Sequence, residues 1–200
     1  MKKYALKIVV ALLAIVLLSV FSSYNRLVQL EESRLSSWGD VENSYQRRND
    51  LIPNLVNVVK GSANYEQTTL IQVIEARAKA TSVKIESGNL NLSSMQNFQK
   101  VQEEISSSLS KLLVVVEKYP DLQANKNFLN LQEQLEGTEN RIAFVREAFN
   151  KFTRIYNIQR RKAITSIWVK YFYPRFEIQP YFQSQEGAEN APVVDFSNKK

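Results

Sequence analysis

The sequence predicts an all-α protein: an antiparallel bundle of about four long helices with an N-terminal transmembrane helix and an extended C-terminal tail. Three observations carry this. Glycine and proline number only 5 each in 200 residues, too few for the turns of an all-β fold. Between these breakers, apolar residues recur in steps of three and four over long stretches, which is the helical period. And the 17 residues from Ile8 to Tyr24 carry no charge, roughly 25 Å as a helix, the short end of a membrane span.

Taken in order, residues 1–7 form a short basic terminus with Lys2, Lys3 and Lys7. Residues 8–24 are the expected transmembrane anchor, with Ile8, Val9, Leu12, Leu13, Ile15, Leu17, Leu18 and Phe21 facing lipid. A cleaved signal peptide fits the same composition, with Val20 and Ser22 at the cut. An uncleaved anchor fits because helical patterning resumes at once beyond Tyr24, an aromatic of the interfacial type. The absence of cysteine removes lipidation of an amino-terminal cysteine as a third route. Lysines before the span put the amino terminus in the cytoplasm and the body outside it, by the positive-inside rule.

Residues 25–160 form the bundle. The first seam runs Val28, Glu31, Leu35, Trp38, Glu42, Tyr45, Asn49, Ile52, Val56, Val59, with Pro53 as a kink inside a continuing helix. Gly61 ends it in a left-handed conformation, and Ser62 or Asn64 caps the next helix. Residues 63–84 carry a narrow stripe of Leu70, Val73, Ile74, Ala76 and Ala80. Ser87-Gly88-Asn89 is a turn. Met95, Phe98, Gln102, Ile105, Leu109, Leu112 and Val116 make the next seam. Tyr119-Pro120-Asp121 restarts the chain, with proline suited to a first helical turn. From residue 122 to about 160, Phe128, Leu131, Leu135, Thr138, Ile142, Val145, Phe149, Phe152 and Tyr156 form the most regular seam. Short connections make neighbours antiparallel, so the last long helix returns to the membrane.

A basic aromatic segment, residues 161–182, and an extended tail, 183–200, follow. The formal charge of +6 is uneven. Residues 22–159 balance 16 basic against 16 acidic side chains. Residues 160–175 carry Arg160, Arg161, Lys162, Lys170 and Arg175 with no acid. Two local basic patches thus flank a neutral body, unlike a globally basic nucleic-acid binder. No histidine and no cysteine are present. That excludes thiol nucleophiles, histidine bases, Ser-His-Asp triads and Cys/His zinc sites. No phosphate loop, metal-ligand spacing or nucleophile elbow suggests a cofactor.

Several motifs resemble those of the bacterial LemA family. They are Arg47-Arg48-Asn49-Asp50-Leu51-Ile52-Pro53-Asn54, Tyr119-Pro120-Asp121-Leu122, Thr138-Glu139-Asn140-Arg141-Ile142-Ala143, Pro180-Tyr181-Phe182 and Val194-Asp195-Phe196. The resemblance implies one amino-terminal anchor, an antiparallel helical body and no enzymatic activity. It marks Arg47, Arg48, Asp50, Pro53, Asn54, Glu139, Asn140 and Arg141 as the residues of the family pattern. Two stretches depart from it: Tyr65-Glu66 stands where many members have His-Glu, and residues 159–179 lack the Phe-Pro and Gly-Phe elements.

Three groups of residues invite a functional reading. Glu31, Glu42, Asp50, Glu136 and Glu139 are carboxylates of the kind that could serve an envelope hydrolase; pairing with arginine or water is the structural reading. Arg47-Arg48-Asn49-Asp50 offers a phosphate or partner patch, or adjacent arginines pointing apart with one held by a carboxylate. Near Pro53, Asn49, Asn54 and Asn57 can satisfy the Asn49 carbonyl, which loses its donor at the proline. Residues 160–182 interleave bases with Trp168, Tyr171, Phe172, Tyr173, Phe176, Tyr181 and Phe182. That suits an anionic membrane interface, cover for the bundle end, or single-stranded nucleic acid. The interface candidates are Arg160, Arg161, Lys162, Trp168, Lys170, Tyr171, Phe172 and Arg175. The expected partners are membrane lipid, an unidentified protein and a further copy of the chain, not nucleic acid. A non-enzymatic envelope scaffold is the leading function; the alternatives are the hydrolase and a bundle secreted after signal cleavage.

Overall fold

A computed structural model describes residues 2–61, 67–86 and 89–183. Expectations for Ser62, Asn64, Tyr65-Glu66, Ser87-Gly88 and the tail from residue 184 fall outside the described residues. Among the described residues there are six helices and no strand: α1 Lys2–Lys60, α2 Gln67–Ser82, α3 Leu92–Val116, α4 Pro120–Gln123, α5 Lys126–Arg161 and α6 Ala163–Tyr171.

The anchor and the first bundle helix are one helix. α1 runs 59 residues, through Pro53, without interruption. Proline has no N–H, so the carbonyl four residues earlier loses its helical donor. The expectation that nearby asparagines replace it is corrected: Arg77 Nε of α2 donates to the Asn49 carbonyl at 2.8 Å. At the end of α1, Gly61 is not left-handed as expected. Its N–H continues helical bonding to the Asn57 carbonyl at 3.1 Å.

α5 packs along α1, and α2 packs along α3 and against the far part of α1. The two pairs meet through long side chains, Phe98 of α3 lying edge-on to Trp38 and Tyr45 of α1. Three apolar clusters stack along the bundle. The far one centres on Ile52, Leu55, Leu70, Leu112 and Phe128. The middle one holds Trp38, Tyr45, Phe98, Phe149 and Phe182. The third, beside the membrane-length segment, holds Leu27, Leu30, Tyr156, Val169, Tyr173 and Phe176.

All seven positions of the α3 seam are buried, as are Phe128, Leu135, Thr138, Ile142, Val145, Phe149 and Tyr156 of α5. Leu131 and Phe152 are half-buried. Three expectations need correction. In the first seam, Trp38, Tyr45, Asn49, Ile52, Val56 and Val59 are buried as expected, with Arg48 beside them. Elsewhere in its first half burial falls one residue earlier, at Leu27, Leu30, Arg34 and Val41, leaving Val28, Glu31, Leu35 and Glu42 at the edge. A carboxylate resists burial without a partner, so the helix turns its arginines inward instead. In the α2 stripe, Ile74 faces out at 40% exposure. The last long helix is split: α4 ends at Gln123, and Asn125 then caps α5 by accepting from the N–H groups of Asn127 and Phe128. Cap chemistry also starts α3, where Asn91 and Ser94 bond reciprocally to each other's N–H.

Candidate functional site: the membrane-facing collar

The helix that enters the bundle is bare at its start. Ile8, Val9, Leu12, Leu13, Ile15, Leu17, Leu18 and Phe21 are all more than half exposed. The segment is apolar enough to cross a membrane, with a mean hydropathy of 2.6 in its best window. Exposed apolar surface on this scale is costly in water and favourable in lipid.

Cover begins at Ser19 and Val20. Trp168 of α6 donates its indole N–H to Ser19 Oγ at 3.0 Å. Val20 packs on the third core cluster. Tyr24 meets the rings of Tyr173 and Phe176 edge-on, with centroids 5.5 and 5.6 Å apart. α6 therefore sits on α1 at the level where the uncharged segment ends.

The segment 161–182 divides its aromatics between two tasks. Tyr173, Phe176 and Phe182 are core. Tyr171 and Phe172 stand 69% and 63% exposed, beside Ile164 and Ile167 at 60% and 50%. Ile164, Ile167 and Tyr171 fall at helical spacing, so one face of α6 is apolar and uncovered. Thr165 and Val169 bury the opposite face. The sequence reading missed Ile164 and Ile167; their spacing next to Lys162 and Lys170 was the available signal.

The basic candidates divide in the same way. Lys162 and Lys170 are exposed. Arg160 Nε donates to the Phe176 carbonyl at 3.2 Å, and Arg161 Nε to the Asn157 carbonyl at 3.3 Å. Arg175 lies 3.7 Å from Glu31, donates to the Tyr24 hydroxyl at 3.4 Å and caps the Phe176 ring at 4.2 Å. Arg160 and Arg175 thus fasten the collar while keeping charge at its surface, and the Arg161 bond stays within α5. Beyond Arg175 the chain turns back along α5 as an extended strap. Asn157 and Asn150 each hold one strap residue by both its N–H and its carbonyl, Gln179 and Phe182 respectively. Nothing in the periodicity announced these asparagines.

The family-pattern residues lie elsewhere, on the body of the bundle, and of them only Arg48 is buried. Arg47 is exposed while Arg48 is 1% exposed. Arg48 donates to Glu139 at 2.7 Å, Ser106 Oγ at 2.8 Å, Gln102 Oε1 at 2.6 Å and the Gln102 carbonyl at 3.1 Å. Asp50 is exposed and accepts from Gln46. Pro53 sits inside α1 and Asn54 faces out. Asn140 and Arg141 are exposed, Arg141 over the Phe144 ring. Of the five carboxylates, Glu139 is engaged by Arg48 and Glu31 by Arg175. Partial burial raises the Glu42 carboxyl above its ordinary range. Among the described residues no three acids, histidines or cysteines converge as metal ligands would.

The LemA family profile matches residues 37–196. The chain belongs to the LemA family. Among curated relatives, the magnetosome proteins MamQ 2 and MamQ 1 of Paramagnetospirillum magneticum are each 24% identical over 205 residues, spanning 93% of this chain and 74% of their own. Magnetosome protein MamQ of Magnetospirillum gryphiswaldense is 25% identical over 154 residues, 68% of this chain and 56% of its own. The profile match covers the buried Arg48 network, α6 and the strap, and begins after the membrane-length segment.

Proposed function

We propose that this LemA-family chain is a single-pass, membrane-anchored, non-enzymatic scaffold. Its body stands outside the cytoplasm and binds protein partners. The observation that carries the reading is α6 packed on the end of the uncharged segment, with Ile164, Ile167, Tyr171 and Phe172 uncovered among Lys162 and Lys170. An amphipathic helix of this composition lies in the headgroup layer, apolar side chains down and lysines among the phosphates. One span alone leaves a rigid body free to tilt; a second contact beside it holds the bundle upright. Cleavage near Val20 or Ser22 would remove Ser19, the hydrogen-bond partner of Trp168, which favours an intact anchor. The relatives are named for a cell structure, the magnetosome, and not for a reaction.

Tryptophan fluorescence tests the collar. The chain has 2 tryptophans, and a Trp38→Phe variant leaves Trp168 alone. In vesicles, lipids brominated high on the acyl chain should quench Trp168 strongly, and deeply brominated ones less. Absence of quenching at every depth would remove the interfacial reading.

A further inference from the structure

α5 carries a second row of apolar side chains on the face it turns away from the bundle. Ile142, Val145, Phe149 and Tyr156 are buried inward. On the opposite side of the helix, Phe144, Ala148, Lys151, Ile155 and Ile158 recur in the same steps of four and three. Phe144 is 60% exposed, Ile155 37% and Ile158 49%. A single exposed apolar residue needs no explanation, but a row with the coiled-coil period along about 21 Å of helix has the pattern of a seam for a further helix.

The charge around this row is one-sided. Of the ten exposed residues from 141 to 162, five are basic and one, Glu147, is acidic. The bases are Arg141, Lys151, Arg154, Arg161 and Lys162. Among the described residues the ion pairs belong to Arg48, Lys79 and Arg175, so none of these five has a carboxylate partner there. Arg141 instead holds its guanidinium 5.3 Å from the Phe144 ring centre, which presents charge and apolar surface together.

Lipid cannot lie along this face. α5 runs antiparallel to α1, with Glu139 beside Arg48 and the collar beyond its other end at Ser19. Phe144 therefore stands about 27 Å along the helix from Lys162, well clear of the headgroup layer. A second copy is opposed by charge. Copies anchored in one membrane stand parallel and level, so self-pairing sets Lys151 on Lys151 and Arg154 beside Arg154. An amphipathic helix of another protein, apolar along one seam and flanked by aspartate or glutamate, meets both the row and its charge.

We propose that the outer face of α5, from Arg141 to Lys162, docks an acidic amphipathic helix of a protein partner. Phe144, Ile155 and Ile158 are its apolar anchors, and Lys151 and Arg154 select the partner's charge. The proposal rests on the reading of this chain as a partner-binding scaffold, and it assigns the surface and the partner's chemistry.

The test uses the full chain in phosphatidylcholine nanodiscs. The probes are two labelled synthetic helices with the same leucine seam, one flanked by glutamate and the other by lysine. Fluorescence anisotropy should show the acidic helix binding about tenfold more tightly or better. Lys151→Glu with Arg154→Glu should reverse that preference, and Phe144→Asp with Ile155→Asp should weaken the acidic helix by a similar factor. All four positions are exposed, and an unshifted thermal midpoint shows each fold intact. Lys118→Glu, just beyond α3, should change nothing. Equal binding of the two helices, a preference that survives the charge reversal, or an equal effect of Lys118→Glu overturns the proposal. In native membranes, a benzophenone amino acid in place of Phe144 or Ile155 should capture another protein through a segment with that acidic seam. A self-adduct, a lipid adduct or no adduct overturns it. Quenching of Trp168 by brominated lipid is a separate readout: if it persists while the two helices bind alike, the anchored scaffold stands and this docking face falls.

Discussion

Two buried arginines on one helix face each stack on aromatic rings and differ in the hydrogen-bond acceptors that replace their lost water. Arg34 and Arg48 lie 14 residues apart on α1, at 3% and 1% exposure. Arg48 finds a carboxylate, a hydroxyl, an amide oxygen and a carbonyl. Arg34 makes no hydrogen bond, its guanidinium 6.0 Å from the Phe149 and Tyr156 ring centres with the charge of Glu31 nearby. Its Nε and Nη1 meet no acceptor, whereas at Arg48 only Nε goes unmet. Burial accordingly lowers the Arg34 pKa from the ordinary arginine value, although the group stays cationic at neutral pH. The Arg48 layer is a specific lock: only one rotation of α1 against α3 and α5 brings those acceptors together. The Arg34 layer is held by shape and apolar contact. A buried ion stabilises a fold only where its partners replace the lost water.

The largest expected effect is therefore at position 48. Arg48→Met keeps volume and removes five donors. It strands Gln102, which is 4% exposed, and frees Glu139. Because the Glu139 side chain is 43% exposed, it turns to water, and the loss should be about 2–3 kcal/mol, at the low end for a broken buried pair. Thermal unfolding followed by helical circular dichroism in detergent measures it. A loss no greater than that of Arg34→Met would erase the distinction between the layers.

A third arginine sharpens the comparison. Arg77 satisfies a backbone carbonyl that Pro53 orphaned. Arg77→Ala should cost about 1–2 kcal/mol, the cost of leaving a buried acceptor unmet. Pro53→Ala restores an N–H to the helix, so the double variant should recover most of the loss. Additive losses would show that Arg77 acts by packing instead.

These arginines also mark where the sequence stops being legible. The α3 seam reads correctly at every position because its lone polar member, Gln102, was admitted as a break in an otherwise apolar row. α1 reads one residue off at Val28, Glu31, Leu35 and Glu42, although Trp38, Tyr45, Asn49, Ile52, Val56 and Val59 are buried as expected. Periodicity alone admits glutamates to the seam where the fold buries arginines, and it cannot know that Arg48 will find Gln102 54 residues away. The collar shows the same limit. Bases and aromatics in residues 160–182 suit a membrane face, a bundle cap or single-stranded nucleic acid, and the structure makes Tyr173 and Phe176 cap, carries Phe182 on to the middle cluster and leaves Tyr171 and Phe172 out. What assigns each ring is its level against α1, fixed by the Trp168–Ser19 contact across 149 residues. Local period carries no trace of such a contact.

At position 34 the comparison predicts a small effect of opposite sign. Arg34→Met removes an ion whose donors are unmet and keeps the contact with Phe149. Stability at neutral pH should be unchanged or raised by up to about 1 kcal/mol, as for other buried charges replaced by apolar residues of similar volume. A loss matching that at position 48 would mean that the cation–ring contacts hold this layer as firmly as hydrogen bonds hold the other.

The smallest effect belongs to Tyr156, which shares the Arg34 layer. Burial, with Glu31 nearby, pushes its phenol up to about 12, against an opposing pull from Arg34, Arg160 and Arg175. Above the ordinary tyrosine pKa of about 10, the unfolded chain releases this proton while the folded chain keeps it. The unfolded state then binds fewer protons, so stability falls as pH rises from about 10 to about 12 and is untouched below that window. The hydroxyl has no partner in the fold, so Tyr156→Phe should leave neutral stability intact. It should also make the alkaline decline shallower, read as the slope of the melting temperature against pH. Arg34→Met withdraws a cation that favours the phenolate, and in that background the phenol should hold its proton to still higher pH. A slope unchanged by Tyr156→Phe would show that other groups govern the alkaline limb.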